Sequence, residues 1–179
     1  MRTTITRKIP HMSMQHYQLL LAQLGQHMDL GDCAANKDGY CAFEFDDSLI
    51  VQLQYDHDDH SIILHGEGGE VPPAVERPIF RMLLEANLLG LDASRVIFAF
   101  NPVTQQVELS RRLAAMLEFG AFEQALSNFV DQLEHWRNQL EQQAELIERE
   151  EDDDRWEDAD SADNARLSDP TQSPPIIWG

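Results

Sequence analysis

Apolar positions recur along this chain in two rhythms, one of 3.6 residues and one of two, and the switches between them mark out its elements. Tyr17, Leu20, Leu21 and Leu24 stand at i, i+3, i+4 and i+7, the stripe of an amphipathic helix. Ser13 is placed as its N-cap, and Gly25 can end it. Asp38-Gly39 closes a turn-rich stretch, after which the rhythm changes to two. Cys41, Phe43 and Phe45 alternate with Ala42 and Glu44, and Val51, Leu53 and Tyr55 alternate with Gln52 and Gln54. Ile62, Ile63 and Leu64 give a third strand ending at Gly66. The polar turns at Asp46-Asp47-Ser48 and from Asp56 to Asp59 are short, so the three strands form an antiparallel meander. Gly66-Glu67-Gly68-Gly69 reads as a flexible connector before the break at Pro72 and Pro73.

Helical spacing returns with Phe80, Leu83, Leu84 and Leu88, with Pro78 near the first turn and Gly90 closing the helix. Val96 to Phe100 is apolar at every position, which predicts a strand covered on both faces. Asn101-Pro102 turns it into a partner at Gln106 to Ser110. A third helix runs from about Phe122 past Leu140, with Leu126, Phe129, Val130, Leu133, Trp136 and Leu140 on its stripe. The fold class is α+β: an antiparallel sheet flanked by helices, in the order helix-strand-strand-strand-helix-strand-strand-helix.

Charge changes the picture of the ends. The 179 residues carry a formal charge of −19, with 13 Lys and Arg against 32 Asp and Glu. Such a balance argues against nucleic acid and against an anionic membrane surface as partners, because both need clustered cations. From Glu145 onward there are twelve acids and three arginines, so a fifth of the chain holds almost half of the excess. Three units are expected: a flexible N-terminal arm over 1–12, an α+β domain over 13–144, and an acidic disordered tail over 145–179. The tail closes with Ser173-Pro174-Pro175-Ile176-Ile177-Trp178-Gly179. Only two cysteines occur, Cys33 and Cys41, and the longest strictly apolar runs are a few residues. No disulfide framework, bilayer span or signal-peptide core is expected, which suggests a cytoplasmic protein.

Candidate chemistry is thin. Asp56-His57-Asp58-Asp59-His60 offers imidazole and carboxylate, but five adjacent residues in one turn rarely converge on an ion, so a solvated turn is expected. There is no G-x-S-x-G and no phosphate-cradling loop, and no cation adjoins either cysteine. No catalytic residue, metal or cofactor is predicted, and the chain is not expected to be an enzyme. What it does offer is apolar surface in Val96 to Phe100 and in the Phe80–Leu88 stripe. That surface either faces the intramolecular core or pairs with a second copy of the chain.

The string Arg81-Met82-Leu83-Leu84-Glu85-Ala86-Asn87-Leu88 resembles the class I type III secretion chaperones, the Tir-chaperone family. The Leu24-Gly25 step, the strand Gly39-Tyr40-Cys41-Ala42-Phe43, the hairpin end Val107-Glu108-Leu109-Ser110, and a last helix with Phe129-Val130 and Trp136 fit the same pattern. The likeness runs from about Ser13 to Leu140. It implies a homodimeric, ATP-independent chaperone that holds the N-terminal segment of one or more secreted effector proteins extended before export. It implies a dimer contact at Phe80, Leu83, Leu84, Leu88, Val96 and Phe98. It implies effector-binding patches at Leu20, Leu24, Phe43 and Leu53. The acidic tail and basic arm depart from the family pattern, leaving the tail to guard the groove, select clients or contact secretion-apparatus components. The alternative is a non-enzymatic adaptor or regulatory module binding a folded partner through that tail.

Overall fold

In the computed structural model, residues 11–45, 48–89, 96–113 and 116–167 are described. Helix α1 spans Met14–His27. Ser13 caps it as expected, its side chain accepting a hydrogen bond from the His16 backbone N–H at 3.1 Å. Gly25 does not end this helix, which continues for two residues. Instead a Cβ at Gly25 would collide with the Gly31 carbonyl and stand 2.9 Å from Cys33 Sγ, so the glycine lets the following loop fold back onto the helix.

Strands β1 (Tyr40–Phe45), β2 (Leu49–Asp56) and β3 (Ser61–Glu70) form the expected antiparallel meander. After a short 3-10 turn at Pro73–Val75 comes α2 (Glu76–Leu89), with Pro78 in its first turn. Then β4 (Ile97–Asn101) and β5 (Gln106–Leu113) form the second hairpin, and α3 (Phe119–Leu167) closes the order. Both hairpin units join one five-stranded antiparallel sheet, ordered β1-β2-β3-β5-β4, because β5 pairs with β3 from Ile62–Leu113 to Glu70–Gln106.

Two expectations are corrected here. The segment Gly66–Gly69 is no loose connector: β3 runs through it to Glu70. Two of its glycines, Gly66 and Gly68, lie under α3. A Cβ on Gly66 would stand 2.6 Å from Leu133 Cδ2 of α3, while one on Gly68 would meet Leu109 Cδ1 of β5 at 2.6 Å and Leu140 Cδ1 of α3 at 3.5 Å. Bare backbone lets a helix approach where side chains would hold it off. Likewise β4 is not covered on both faces. It is an edge strand among the described residues, with Ile97 60% exposed while Phe98 and Phe100 face inward.

The core lies between one face of the sheet and helices α1 and α3. Tyr17, Leu20, Leu21 and Leu24 from α1, Val51, Leu53, Leu64 and Leu109 from the strands, and Phe122, Phe129 and Leu133 from α3 are buried together. Met12, placed in the expected arm, belongs to this core, and its carbonyl accepts the Tyr55 hydroxyl at 2.9 Å. Residues 1–10 lie outside the described residues. At the other end α3 continues through the expected boundary at 144–145 to Leu167. No glycine or proline occurs between Gly120 and Pro170 to interrupt it. The turn residues Asp46 and Asp47, Gly90, and the closing Pro-Pro-Ile-Ile-Trp-Gly segment lie outside the described residues.

Candidate functional site

Helix α2 presents two faces. Inward, Ile79 and Leu83 are buried, and the Phe80 ring lies 4.6 Å from that of Phe100 on β4. Outward, Leu84 is 67% and Leu88 82% exposed. With Pro73, Ala74 and the stems of Arg77 and Arg81 they line an open groove of about 620 Å³ whose lining is mainly apolar. The Arg81–Glu85 pair at 3.0 Å flanks it on the same helix.

Asn87, within the quoted string, joins α2 to β4. Its side-chain amide donates to the Phe98 carbonyl at 3.1 Å and accepts from the Phe98 N–H at 3.0 Å. A single side chain thus imitates a neighbouring strand and satisfies one residue of an edge. Phe98 turns its ring inward, 4.5 Å from Trp136 of α3. The six expected contact residues therefore divide. Leu83 and Val96 are buried within the monomer, Phe80 and Phe98 are half-buried against their own chain, and Leu84 and Leu88 are open. Ile97, not singled out from the sequence, is also open.

The four expected effector-binding residues are placed differently. Leu20, Leu24, Leu53 and Phe43 are at most 7% exposed and belong to the core, so none of them forms a surface patch in this structure. The helical and alternating stripes that drew attention to them are the faces that fold inward. The exposed apolar residues are their neighbours: Leu19 on α1, and Tyr40 and Ile50 on the opposite face of the sheet. In a strand, a shift of one position changes the face.

The polar turn between β2 and β3 is an anchored structure. Asp56 Oδ1 accepts from the N–H groups of Asp58 and Asp59, while Arg112 of β5 donates to Asp56 at 2.7 Å, Asp59 at 3.0 Å and Ser61 at 2.7 Å. The Arg112 hydrogen bond holds the Asp56 carboxyl below its ordinary pKa. His60 meets the Tyr55 hydroxyl at 3.2 Å, and the His57 ring packs edge-on against Tyr55. These carboxylates are engaged by a guanidinium, and among the described residues no group of three or more His, Cys, Asp or Glu is arranged to hold a metal. On β3 and β5, Glu108 accepts from Asn101 at 2.8 Å and lies 3.3 Å from His65, which lowers its pKa, chiefly through the Asn101 bond. Burial raises the pKa of the Cys41 thiol, the reverse of what a nucleophile needs. Among the described residues no helix is long and apolar enough to cross a membrane.

The model for the Tir chaperone protein (CesT) family matches residues 19–137. The chain belongs to that family. Solved structures share its fold. One of the ExsC–ExsE complex aligns at 26% identity and TM-score 0.63, over 72% of this chain and 96% of that one. The HopA1–SchA chaperone–effector complex aligns at 14% identity and TM-score 0.60, over 70% and 95%. The Yersinia pestis type III secretion chaperone SycH, in complex with a fragment of YscM2, aligns at 16% identity and TM-score 0.54, over 67% and 98%. No curated protein sequence matches the chain. The matched span begins inside α1 and ends just past Trp136, so it takes in the whole sheet, α2 with its groove, and the first part of α3.

Proposed function

We propose that this protein is a cytoplasmic type III secretion chaperone that binds the N-terminal segment of one or more secreted effector proteins and keeps it extended for export. The observation that carries the reading is membership of the CesT family together with a folded body that leaves apolar side chains open on α2. The 26% identical neighbour is a complex of ExsC with ExsE, and HopA1–SchA is a chaperone–effector complex; both support the same reading here.

The role is one of binding and needs no catalytic group. An unfolded client offers backbone hydrogen bonds and alternate side chains to a sheet and its edges. Ordering that client consumes part of the gross contact energy, so a large wrapped surface suits the task. The acting unit in this proposal is a homodimer joined across Leu84 and Leu88 of α2, with β4 beside it. Client contact falls to the exposed Leu19, Tyr40 and Ile50, in place of the buried Leu20, Leu24, Phe43 and Leu53.

Co-purification from the native cell tests the reading. The expected result is retention of a secreted protein through its N-terminal segment, by the full chain and equally by a chain ending at residue 147. Binding that requires only residues 148–179, or capture of a folded partner alone, would overturn it in favour of an adaptor acting through the acidic end.

A further inference from the structure

Strands β2 and β3 run side by side only as far as the Val51–Gly66 pair. Beyond it, Leu49 and Ile50 pair with β1, and Glu67, Gly69 and Glu70 pair with β5. A register shift between Glu67 and Gly69 marks the parting. Gly69 has φ +130°, a backbone state that side chains disfavour, and nothing lies within 4 Å of where its Cβ would stand. The β2–β3 ladder thus stops short of one end of the sheet, leaving a two-residue edge on β2, Leu49 and Ile50, and a longer one on β3, Glu67 to Glu70, with no strand between them among the described residues.

Helix α3 crosses behind this gap. Leu140, Glu141 and Ala144 line a groove of about 670 Å³ with Leu49, Gly68 and Gly69. A second recess of about 280 Å³ also takes in Gly69, with Ile50, Gln52 and Gln106. Glu67, Glu70, Glu134, Glu141 and Glu145 line the two, with Arg137 as the lining cation, which donates to the Ser48 carbonyl at 3.0 Å, and Glu145 is itself paired with Arg149 at 3.0 Å.

We propose that this split receives a short extended basic peptide, seated as an inserted strand between the start of β2 and the end of β3, with its lysines or arginines against the glutamates. The two edges can supply the main-chain pairing that an extended segment needs. The open Cβ position at Gly69 lets a backbone come close, and the carboxylates favour cations over anions in a site walled on one side by protein. The volume is that of a small-ligand pocket, with room for a few residues of extended chain and none for a folded domain. The peptide's natural source, a basic stretch of the client, rests on the chaperone reading; the site itself does not.

The test uses the full chain and a fluorescein-labelled Lys-Val-Lys-Val-Lys-Val peptide, with the Glu-Val repeat as control, read by fluorescence anisotropy at low and moderate salt. The expected result is selective binding of the basic peptide, weakened at least tenfold by Glu141→Lys with Glu145→Lys. Asp32→Lys with Asp58→Lys changes the net charge equally at exposed positions elsewhere and is expected to weaken it less than threefold. Amide resonances of Gly68, Gly69 and Glu70 are expected to shift on titration. Equal weakening by both double variants, binding of the acidic control, or unmoved amides would overturn the site. Should the protein retain its cellular client while the basic peptide fails to bind, this site falls and the chaperone reading stands. If the peptide binds as expected and no client is retained, the site stands and the chaperone reading falls.

Discussion

Leu84 and Leu88 can be truncated without touching the monomer's core, which makes them a clean probe of the proposed dimer. Fully burying a leucine is worth about 1.5–3 kcal/mol. Scaled by exposures of 67% and 82%, complete cover would contribute about 1–2 kcal/mol at Leu84 and about 1.2–2.5 kcal/mol at Leu88. A twofold contact counts both copies, so the ceiling is about 4–9 kcal/mol before ordering costs are subtracted. Alanine keeps the Cβ, so we set the expected loss at about 3 kcal/mol, or roughly a hundredfold in dissociation constant. Sedimentation equilibrium of wild type and of Leu84→Ala with Leu88→Ala, over a range of concentrations, reads that change directly. Thermal melts extrapolated to the monomer should leave the double variant within about 0.5 kcal/mol of wild type, as for exposed substitutions generally. Leu83→Ala is the contrast: that side chain is 5% exposed, and its loss should cost about 2–5 kcal/mol of folding. A wild type that stays monomeric at about 100 μM, far above the dissociation constants of stable dimers, refutes the interface. So does a double variant that dimerises as tightly as its parent.

Three further outcomes are expected. Gly66→Ala should destabilise by about 1–3 kcal/mol through overpacking against Leu133, and Leu133→Ala should relieve part of that penalty in a double-mutant cycle read by urea denaturation; strict additivity would remove the close approach as the cause. Asn87→Ala should speed hydrogen exchange at the Phe98 amide, and an unchanged rate would mean that the Asn87 side chain does not guard that edge. Because Arg112 lowers the Asp56 pKa, the pair's stabilisation is present above the ordinary carboxylate pKa and is lost as pH falls through the lower folded value. The stability difference between wild type and Arg112→Met should therefore shrink with acidification below about pH 4, and a difference constant down to pH 2 would contradict the linkage.

The periodicities carried most of the fold. Tyr17 to Leu24, the Cys41–Tyr55 alternations and the Phe122–Leu140 stripe are local patterns, and burial of their apolar faces is enough to define helix, strand and order. The string around Asn87 was legible as a family likeness, yet its physical role, an amide lying along β4, emerges only when residues eleven apart in sequence meet in space. The same stripes say little about which apolar side chains stay on the surface. A strong apolar period marks what the monomer hides, so Leu20, Leu24, Phe43 and Leu53 went to the core, and the open positions were their less conspicuous neighbours.

The sequence alone determined the secondary elements, their order, the acidic balance and the family, because each is written in neighbours along the chain. Tertiary structure decided that β5 enters beside β3, leaving β4 at an edge, and that Gly66 of β3 is where α3 comes closest to the sheet through Leu133. It also decided that the sheet parts between β2 and β3. These depend on which distant segments pack together, and hydrophobic spacing is blind to the identity of the partner it buries against.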